Sequence, residues 1–164
     1  MEVLFNNERA WQILEEVKDP EIPVISVVEL GVVRNVETDG KKVMVTITPT
    51  YSGCPAMHMM EEDIIKALKE NGAERVEVKT VLAPAWTTAW ITDEAKKKLE
   101  NYGIAPPAEE SADKAALLGK TRQLKCPQCG SKNTVMKSQF GSTACKALFV
   151  CNDCLEPFDY FKCL

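Results

Sequence analysis

The chain has 164 residues, of which 45% are hydrophobic and 27% charged, a composition typical of soluble globular proteins. No apolar run approaches the length of a membrane span, and residues 1–5 do not resemble a signal peptide, so we expect no membrane partner. Seven cysteines without an export signal favour a reducing compartment, the cytoplasm. They indicate metal or thiol chemistry more than disulfides.

The net charge of −4 is unevenly distributed along the chain. Residues 1–119 carry 13 basic and 21 acidic side chains, whereas residues 120–164 carry 7 basic and 3 acidic ones. This asymmetry predicts two parts with different surfaces, which would attract each other or different partners.

A short helix is predicted near the start, and it ends before Asp19-Pro20, because the residue before a proline avoids the helical region. The turn at residues 19–23 then carries two carboxylates, Asp19 and Glu21. Such carboxylates ordinarily face solvent or accept a hydrogen bond at a helix end. The residues that mark the helix are Trp11, Leu14 and Val17.

Three strands and two further helices are predicted up to residue 104. Asp39-Gly40 is a strong hairpin signal between strands at 32–36 and 43–48, and alternation around Val76 and Val78 gives a third strand. A helix at about 55–70 and another that ends at Gly103 pack on them. The predicted fold is α/β (α+β), with a small mixed three-stranded sheet in a domain spanning 1–104. We expect Trp86 and Trp90 to lie in its core; the alternative is a docking surface for a partner.

Residues 48–58 (TPTYSGCPAMH) join a strand pattern to a helix pattern through a turn that ends on a lone cysteine. Pro55 suits the first helical position, which would make Cys54 the N-cap. The free N–H groups and the positive helix dipole there favour a thiolate, a better nucleophile or metal ligand. A half-buried cysteine that merely packs is the alternative.

Residues 105–124 are predicted to be a linker, with a short helix at 112–118, and residues 125–164 a zinc ribbon. The ribbon is indicated by two C-x-x-C pairs, Cys126 with Cys129 and Cys151 with Cys154, at a spacing typical of a tetrahedral site with four cysteine ligands. Redox-active dithiols and a rubredoxin-like iron site stay open as alternatives. Cys145 and Cys163 lie outside this set of four cysteines (the tetrad). They are either small buried side chains or a second thiol pair.

Several motifs carry a resemblance to known families. Residues 19–23, Leu30-Gly31 and residues 49–55 resemble the domain of SufT-related iron–sulfur assembly factors. Together with the ribbon cysteines, residues 141–146 (GSTACK) and 156–163 (EPFDYFKC) resemble the PaaD family, also called PaaJ.

The resemblance implies an accessory protein of the phenylacetyl-CoA epoxidase (ring 1,2-oxygenase) complex in phenylacetate degradation. That system combines a di-iron monooxygenase with a reductase carrying flavin and a [2Fe–2S] cluster. The implied role is maturation or repair of iron–sulfur or di-iron centres, not the epoxidation itself. In the related domain, the cysteine that matches Cys54 is the functional thiol, and the acid that matches Asp19 lies near it.

The leading hypothesis is therefore a non-enzymatic assembly factor whose partners are oxygenase or reductase components and iron–sulfur assembly proteins. Cys54, as an exposed thiolate, would bind iron or a cluster shared with a client or with a second copy in a homodimer. One thiolate is far short of the usual four ligands. Asp19, Glu21 and His58 are candidates for hydrogen bonds or a further ligand, although a solvated His58 is the ordinary interpretation.

Three alternatives come from other classes. A structural subunit of the monooxygenase would need no reactive thiol. A nucleic-acid-binding ribbon would use the basic C-terminal part and its aromatic residues, but the modest charge argues against it. A thiol enzyme with Cys54 as nucleophile lacks an orienting group. With one histidine and no Glu-x-x-His pairs, the chain is not the oxygenating subunit.

Overall fold

The computed structural model describes residues 5–51, 53–107, 124–143 and 145–161. Backbone contacts divide the chain into two units, Met1–Thr92 and Asp93–Leu164. The predicted helix at 112–118 and most of the predicted linker lie outside the described residues. The predicted boundaries at residues 104 and 124 therefore stay predictions.

The first unit contains a mixed three-stranded sheet in the order β1-β2-β3. β1 (Val33–Asp39) and β2 (Lys42–Ile47) are antiparallel, and β3 (Arg75–Thr80) runs parallel to β2. The hairpin turn falls at the predicted Asp39-Gly40, where Gly40 has a φ of +61°. Hairpin turns of this kind favour positive φ, so the glycine fits the turn. The predicted mixed sheet is confirmed.

Two helices pack in this unit, α1 (Asn7–Glu15) and α2 (Ala56–Glu70). The Asn6 side chain caps α1 by accepting a hydrogen bond from the Arg9 N–H at 2.8 Å. α1 contacts β1 and α2, and α2 contacts β3. Helix positions three or four apart and alternate positions of β2 are buried, as the apolar pattern predicts. These core residues are Ala10, Ile13, Leu14, Val43, Val45, Ile47, Ala56, Met60, Ile64 and Leu68.

The bend at Leu30-Gly31 is enclosed by a segment that follows β3. The Trp86 Nε1–H donates a hydrogen bond to the Leu30 carbonyl at 2.9 Å, and the Trp86 side chain is buried, as predicted. Trp90 ends a 3-10 helix (Thr88–Trp90) and stacks under the Arg34 guanidinium, 3.5 Å from the ring centroid. Gly31 has a φ of +81°, and a Cβ atom there would lie 2.6 Å from the Trp90 Cβ. Only glycine adopts this positive φ readily and, because it has no Cβ atom, leaves Trp90 in place.

The second unit contains a helix and a four-stranded sheet in the order β4-β7-β6-β5. α3 (Asp93–Tyr102) leads through Gly103 to the short β4 (Ile104–Ala105), which is parallel to β7 (Pro157–Phe161). β5 (Thr134–Ser138) and β6 (Lys146–Cys151) complete an antiparallel ribbon with β7. By contact, α3 and β4 belong to this unit, although the sequence prediction assigned residues up to 104 to the first domain.

None of the helices in the described ranges combines the length and the apolar character that crossing a membrane requires.

We predict that Gly31→Ala lowers the free energy of unfolding by about 2 kcal/mol or more, because it adds both a left-handed backbone cost and a clash with Trp90. Urea unfolding of the full-length protein measures the change. Gly40→Ala is the matched control, since Gly40 also has a positive φ but a Cβ atom there has no neighbour within 4 Å. Gly40→Ala should cost only about 1 kcal/mol. Equal losses for the two variants would contradict the tight approach at Trp90.

Candidate metal centre and thiol site

The structure brings the four cysteines of the two C-x-x-C pairs together. The Sγ atoms of Cys126, Cys129, Cys151 and Cys154 all lie within 4.8 Å of one another. The Cys126–Cys154 and Cys129–Cys151 sulfur pairs are 3.7 and 3.6 Å apart. Four thiolates at about 2.3 Å from a zinc ion in a tetrahedron have sulfur–sulfur edges of about 3.8 Å. The four side chains therefore fit a tetrahedral metal ion.

Each pair is held by a tight turn. The Gly130 N–H donates to the Cys126 carbonyl at 2.9 Å, and the Leu155 N–H donates to the Cys151 carbonyl at 3.0 Å. Both residues adopt positive φ, +77° at Gly130 and +64° at Leu155. The sequence indicates the first turn through its glycine. The second is closed by a leucine, and such a backbone conformation is uncommon for a residue other than glycine.

Polar side chains outside the tetrad tie the two turns together. Asp153 accepts hydrogen bonds from the Ser131 hydroxyl and from Asn133 Nδ2, the latter at 3.0 Å. Asn152 Nδ2 in turn donates to Asn133 Oδ1 at 3.0 Å. The Ser131 and Asn133 bonds hold the pKa of Asp153 below its usual value. Sequence reasoning missed these residues, because single polar side chains in turns have no periodic signal.

The four thiols influence one another's protonation. The Cys154 backbone N–H, above all, lowers the pKa of Cys151 to about 7. Opposing influences act on the pKa of Cys154. The Glu156 backbone N–H, the largest single influence, lowers it. Burial and the three neighbouring thiols together outweigh that effect and raise the pKa to about 12. At neutral pH, Cys154 therefore keeps a proton that a metal ion must displace.

Cys54 lies in the loop between β2 and α2. The predicted N-cap position is wrong: α2 begins at Ala56 with Pro55 as its cap, so Cys54 precedes the cap by one residue. The prediction of an exposed thiolate is also wrong, because Cys54 is only 9% exposed. Gly53, at a φ of +79°, turns the chain, and the Cys54 N–H donates to the Tyr51 carbonyl at 3.3 Å. The thiol forms no hydrogen bond within the described ranges.

The acidic candidates lie in the predicted turn. Asp19 is 4% exposed, and its Oδ1 accepts the backbone N–H groups of Glu21 at 2.7 Å and Ile22 at 2.8 Å. This is the ordinary hydrogen-bonding role that the sequence left open, and it fixes the turn. Glu21 is half-buried beside it. The ligand role of these two carboxylates stays a prediction.

His58 lies on the surface of α2. Its side chain is 81% exposed, and Nε2 lies 3.3 Å from a carboxylate oxygen of Glu62, one turn further along. This contact accounts for His58 as a solvated helix residue, the ordinary interpretation of the sequence. A role as cargo ligand gains no support from the structure.

Cys145 is buried in the loop before β6, where its Sγ lies 3.0 Å from the Thr143 hydroxyl oxygen. Cys163 lies outside the described residues, so the second thiol pair stays a prediction. Nearby, the buried Lys146 ammonium donates to Ser142 Oγ at 3.2 Å, and Ser142 Oγ donates to Asp159 at 2.8 Å. This chain of polar contacts links β6 to β7.

Both parts of the chain match known families. The model described as "Iron-sulfur cluster assembly protein" matches residues 7–80, and the model described as "PaaD zinc beta ribbon domain" matches residues 110–162.

Curated relatives extend the match to nearly the full chain. An Escherichia coli (strain K12) protein, provisionally named as a subunit of 1,2-phenylacetyl-CoA epoxidase, is 48% identical over 94% of this chain and 91% of its own. The Porphyromonas gingivalis (strain ATCC BAA-308 / W83) Fe-S protein maturation auxiliary factor is 36% identical over 60% of this chain and 94% of its own.

Two solved structures share the fold of more than half of this chain. A domain of unknown function (DUF59) from Bacillus anthracis covers 56% of this chain and 89% of its own at a TM-score of 0.53, with 32% identity. A conserved hypothetical protein from Thermotoga maritima covers 60% of this chain and 98% of its own at a TM-score of 0.52, with 31% identity.

Fold, cysteine cluster and family matches together define an iron–sulfur assembly domain followed by a zinc β-ribbon domain. The chain belongs to the PaaD family, which confirms the resemblance that its motifs carry.

We predict that metal affinity at the four-cysteine site rises with pH. A metal ion displaces protons from Cys129 and Cys154, because the pKa values of both thiols are raised, so affinity should rise about tenfold per pH unit for each proton displaced. Below about pH 7 the slope should steepen, because Cys151 is then also protonated. Competition with a zinc chelator between about pH 6 and pH 8.5 measures this dependence.

Cys129→Ser and Cys145→Ala provide the comparison for that experiment. Cys129 is the exposed member of the tetrad, so its replacement by serine removes a ligand with little loss of packing. Cys129→Ser should lower zinc affinity by at least a hundredfold, whereas Cys145→Ala should keep one zinc per chain. Affinity that is independent of pH, or unaffected by Cys129→Ser, would exclude the tetrathiolate site.

Proposed function

We propose that this protein is a non-enzymatic accessory factor that assembles or repairs iron–sulfur or di-iron centres of a phenylacetyl-CoA oxygenase system. The proposal depends on Cys54, a thiol without a hydrogen-bond partner in the described ranges, in the loop of an iron–sulfur assembly domain. The names of the E. coli and P. gingivalis relatives support the oxygenase system and the maturation role.

Cys54 would bind the cargo as a thiolate. A cluster iron needs more ligands than one protein thiolate provides, so client cysteines or a second copy of this chain would supply the rest. A cluster bridging two copies would make a homodimer during loading. Cargo held by few protein ligands is released more readily to a protein that offers a complete set. The low exposure of Cys54 would also limit its oxidation between loading events.

The four-cysteine site would hold a resident zinc ion. Tetrahedral thiolate coordination favours zinc, and the sulfur distances fit it. Zinc would supply folding free energy to the second unit rather than chemistry on a substrate. We assign the ribbon to docking with oxygenase or reductase components or iron–sulfur assembly proteins in the cytoplasm.

We predict that Cys54→Ala abolishes the accessory function. The oxygenase and reductase components would be produced together with wild-type protein, with Cys54→Ala, or with neither. The iron content and oxygenase activity of the purified components are the readouts. Cys54→Ala should lower both to the level found without the accessory protein.

Cys145→Ala is the matched control, because it also removes a buried thiol outside the tetrad. It should support full activity, and all variants should keep one zinc per chain. Full client activity with Cys54→Ala would contradict the proposal.

A structural subunit of the monooxygenase is the second candidate, favoured by the name of the E. coli relative. It would co-purify with the oxygenase in fixed stoichiometry whether or not Cys54 is present. The same co-production experiment separates the two candidates, since only the assembly factor depends on the thiol.

A further inference from the structure

The hydroxyl of Thr48 is buried without a hydrogen-bond partner. Thr48 is 1% exposed. Within the described ranges, its Oγ1 is the only buried side-chain oxygen or nitrogen without a hydrogen-bond partner. Buried polar groups are almost always hydrogen-bonded, because leaving one unpaired destabilises the fold. A valine would fill the same volume without this cost. We therefore expect the hydroxyl to form a hydrogen bond with a partner from outside the folded chain.

Thr48 belongs to the same loop as Cys54. It directly follows β2, and Cys54 directly precedes the cap of α2, so the two residues are the ends of this loop. The Thr48 N–H is fixed by a hydrogen bond of 2.9 Å to the Val32 carbonyl, and Gly53, at a φ of +79°, turns the chain just before Cys54.

The loop thus holds one hydroxyl and one thiol, Thr48 and Cys54, that are both buried and have no hydrogen-bond partner in the part of the chain that the structure describes. Local packing accounts for neither polar group. A bound group that accepts a hydrogen bond and coordinates a thiolate would account for both.

We propose that Thr48 is a positioning residue that donates a hydrogen bond from Oγ1 to sulfur in the cargo bound at Cys54. This inference rests on the proposed function, since it takes the cargo to be iron ligated by thiolate or sulfide. Both kinds of sulfur accept hydrogen bonds, and such bonds fix the geometry and tune the stability of the metal group. Binding would pair a hydroxyl that is unpaired in the free protein.

The test compares Thr48→Val, Thr48→Ser and Thr46→Val with the wild type in full-length, zinc-loaded protein under anaerobic conditions. Thr46→Val is the matched control, because Thr46 lies two residues earlier in β2, is half-buried and makes no side-chain hydrogen bond within the described ranges. Each protein is reconstituted with ferrous iron and sulfide. The rate at which an iron chelator removes the Cys54-dependent iron is then measured, together with the melting temperature before reconstitution.

We expect Thr48→Val to lose iron about tenfold faster than the wild type. About a tenfold change is the lower end of the effect seen when a hydrogen bond beside a metal ligand is removed. Thr48→Ser and Thr46→Val should lose iron at the wild-type rate. The melting temperature of iron-free Thr48→Val should be equal to or higher than that of the wild type, because an unpaired buried hydroxyl has been removed.

Wild-type iron retention in Thr48→Val, or equally fast loss from Thr48→Ser, would overturn the inference and leave the proposed function standing. A lower melting temperature of iron-free Thr48→Val would also overturn it, since the hydroxyl would then be bonded in the free protein. If the wild type binds no Cys54-dependent iron, the proposed function fails and the inference fails with it.

Discussion

The close approach of four sulfur atoms is the constraint on which the second unit depends. Cys126 and Cys151 are fully buried and belong to the same hydrophobic cluster as Phe149, Phe158 and Tyr160. The metal site and the core are therefore one structure, and loss of the ion would disturb both. The aromatic rings of this cluster pack against one another, with centroids 5.7 to 5.9 Å apart. A metal ion would also join Cys126 to Cys154, which are 28 positions apart in the sequence. The free energy of metal binding would offset much of the entropy that a small unit loses when it folds.

The two cysteine sites differ in how many metal ligands the protein supplies. The tetrad offers four ligands, and Ser131, Asn133 and Asp153 hold its two turns together. Such a closed site suits a resident ion. Cys54 stands alone in the loop that also holds the Thr48 hydroxyl, which has no partner in the described ranges. Such a site suits a group that arrives with its own ligands and leaves again. The contrast between a complete and an incomplete ligand set is the physical basis for assigning structure to one site and transfer to the other.

Local sequence signals predicted the elements that local physics determines. Asp39-Gly40 predicted the β1–β2 hairpin, apolar spacing predicted α2, and two C-x-x-C pairs predicted the tetrad. Features that depend on distant residues could not be predicted in this way. β4 has two residues, too few for a periodic pattern, and its pairing with β7 joins segments far apart in the sequence. The burial of Cys54 and the unpaired hydroxyl of Thr48 likewise depend on what surrounds the loop, not on the residues within it.

In the proposed function, Cys54 binds iron and the tetrad binds zinc. Metal and labile-sulfide analysis, with visible absorption, on anaerobically purified wild-type protein and Cys54→Ala distinguishes the two sites. We expect about one zinc per chain in both proteins, from one four-cysteine site, with iron and sulfide in the wild type alone. Zinc alone in both proteins, even after reconstitution with iron and sulfide, would contradict the proposed function and favour a scaffold or docking role.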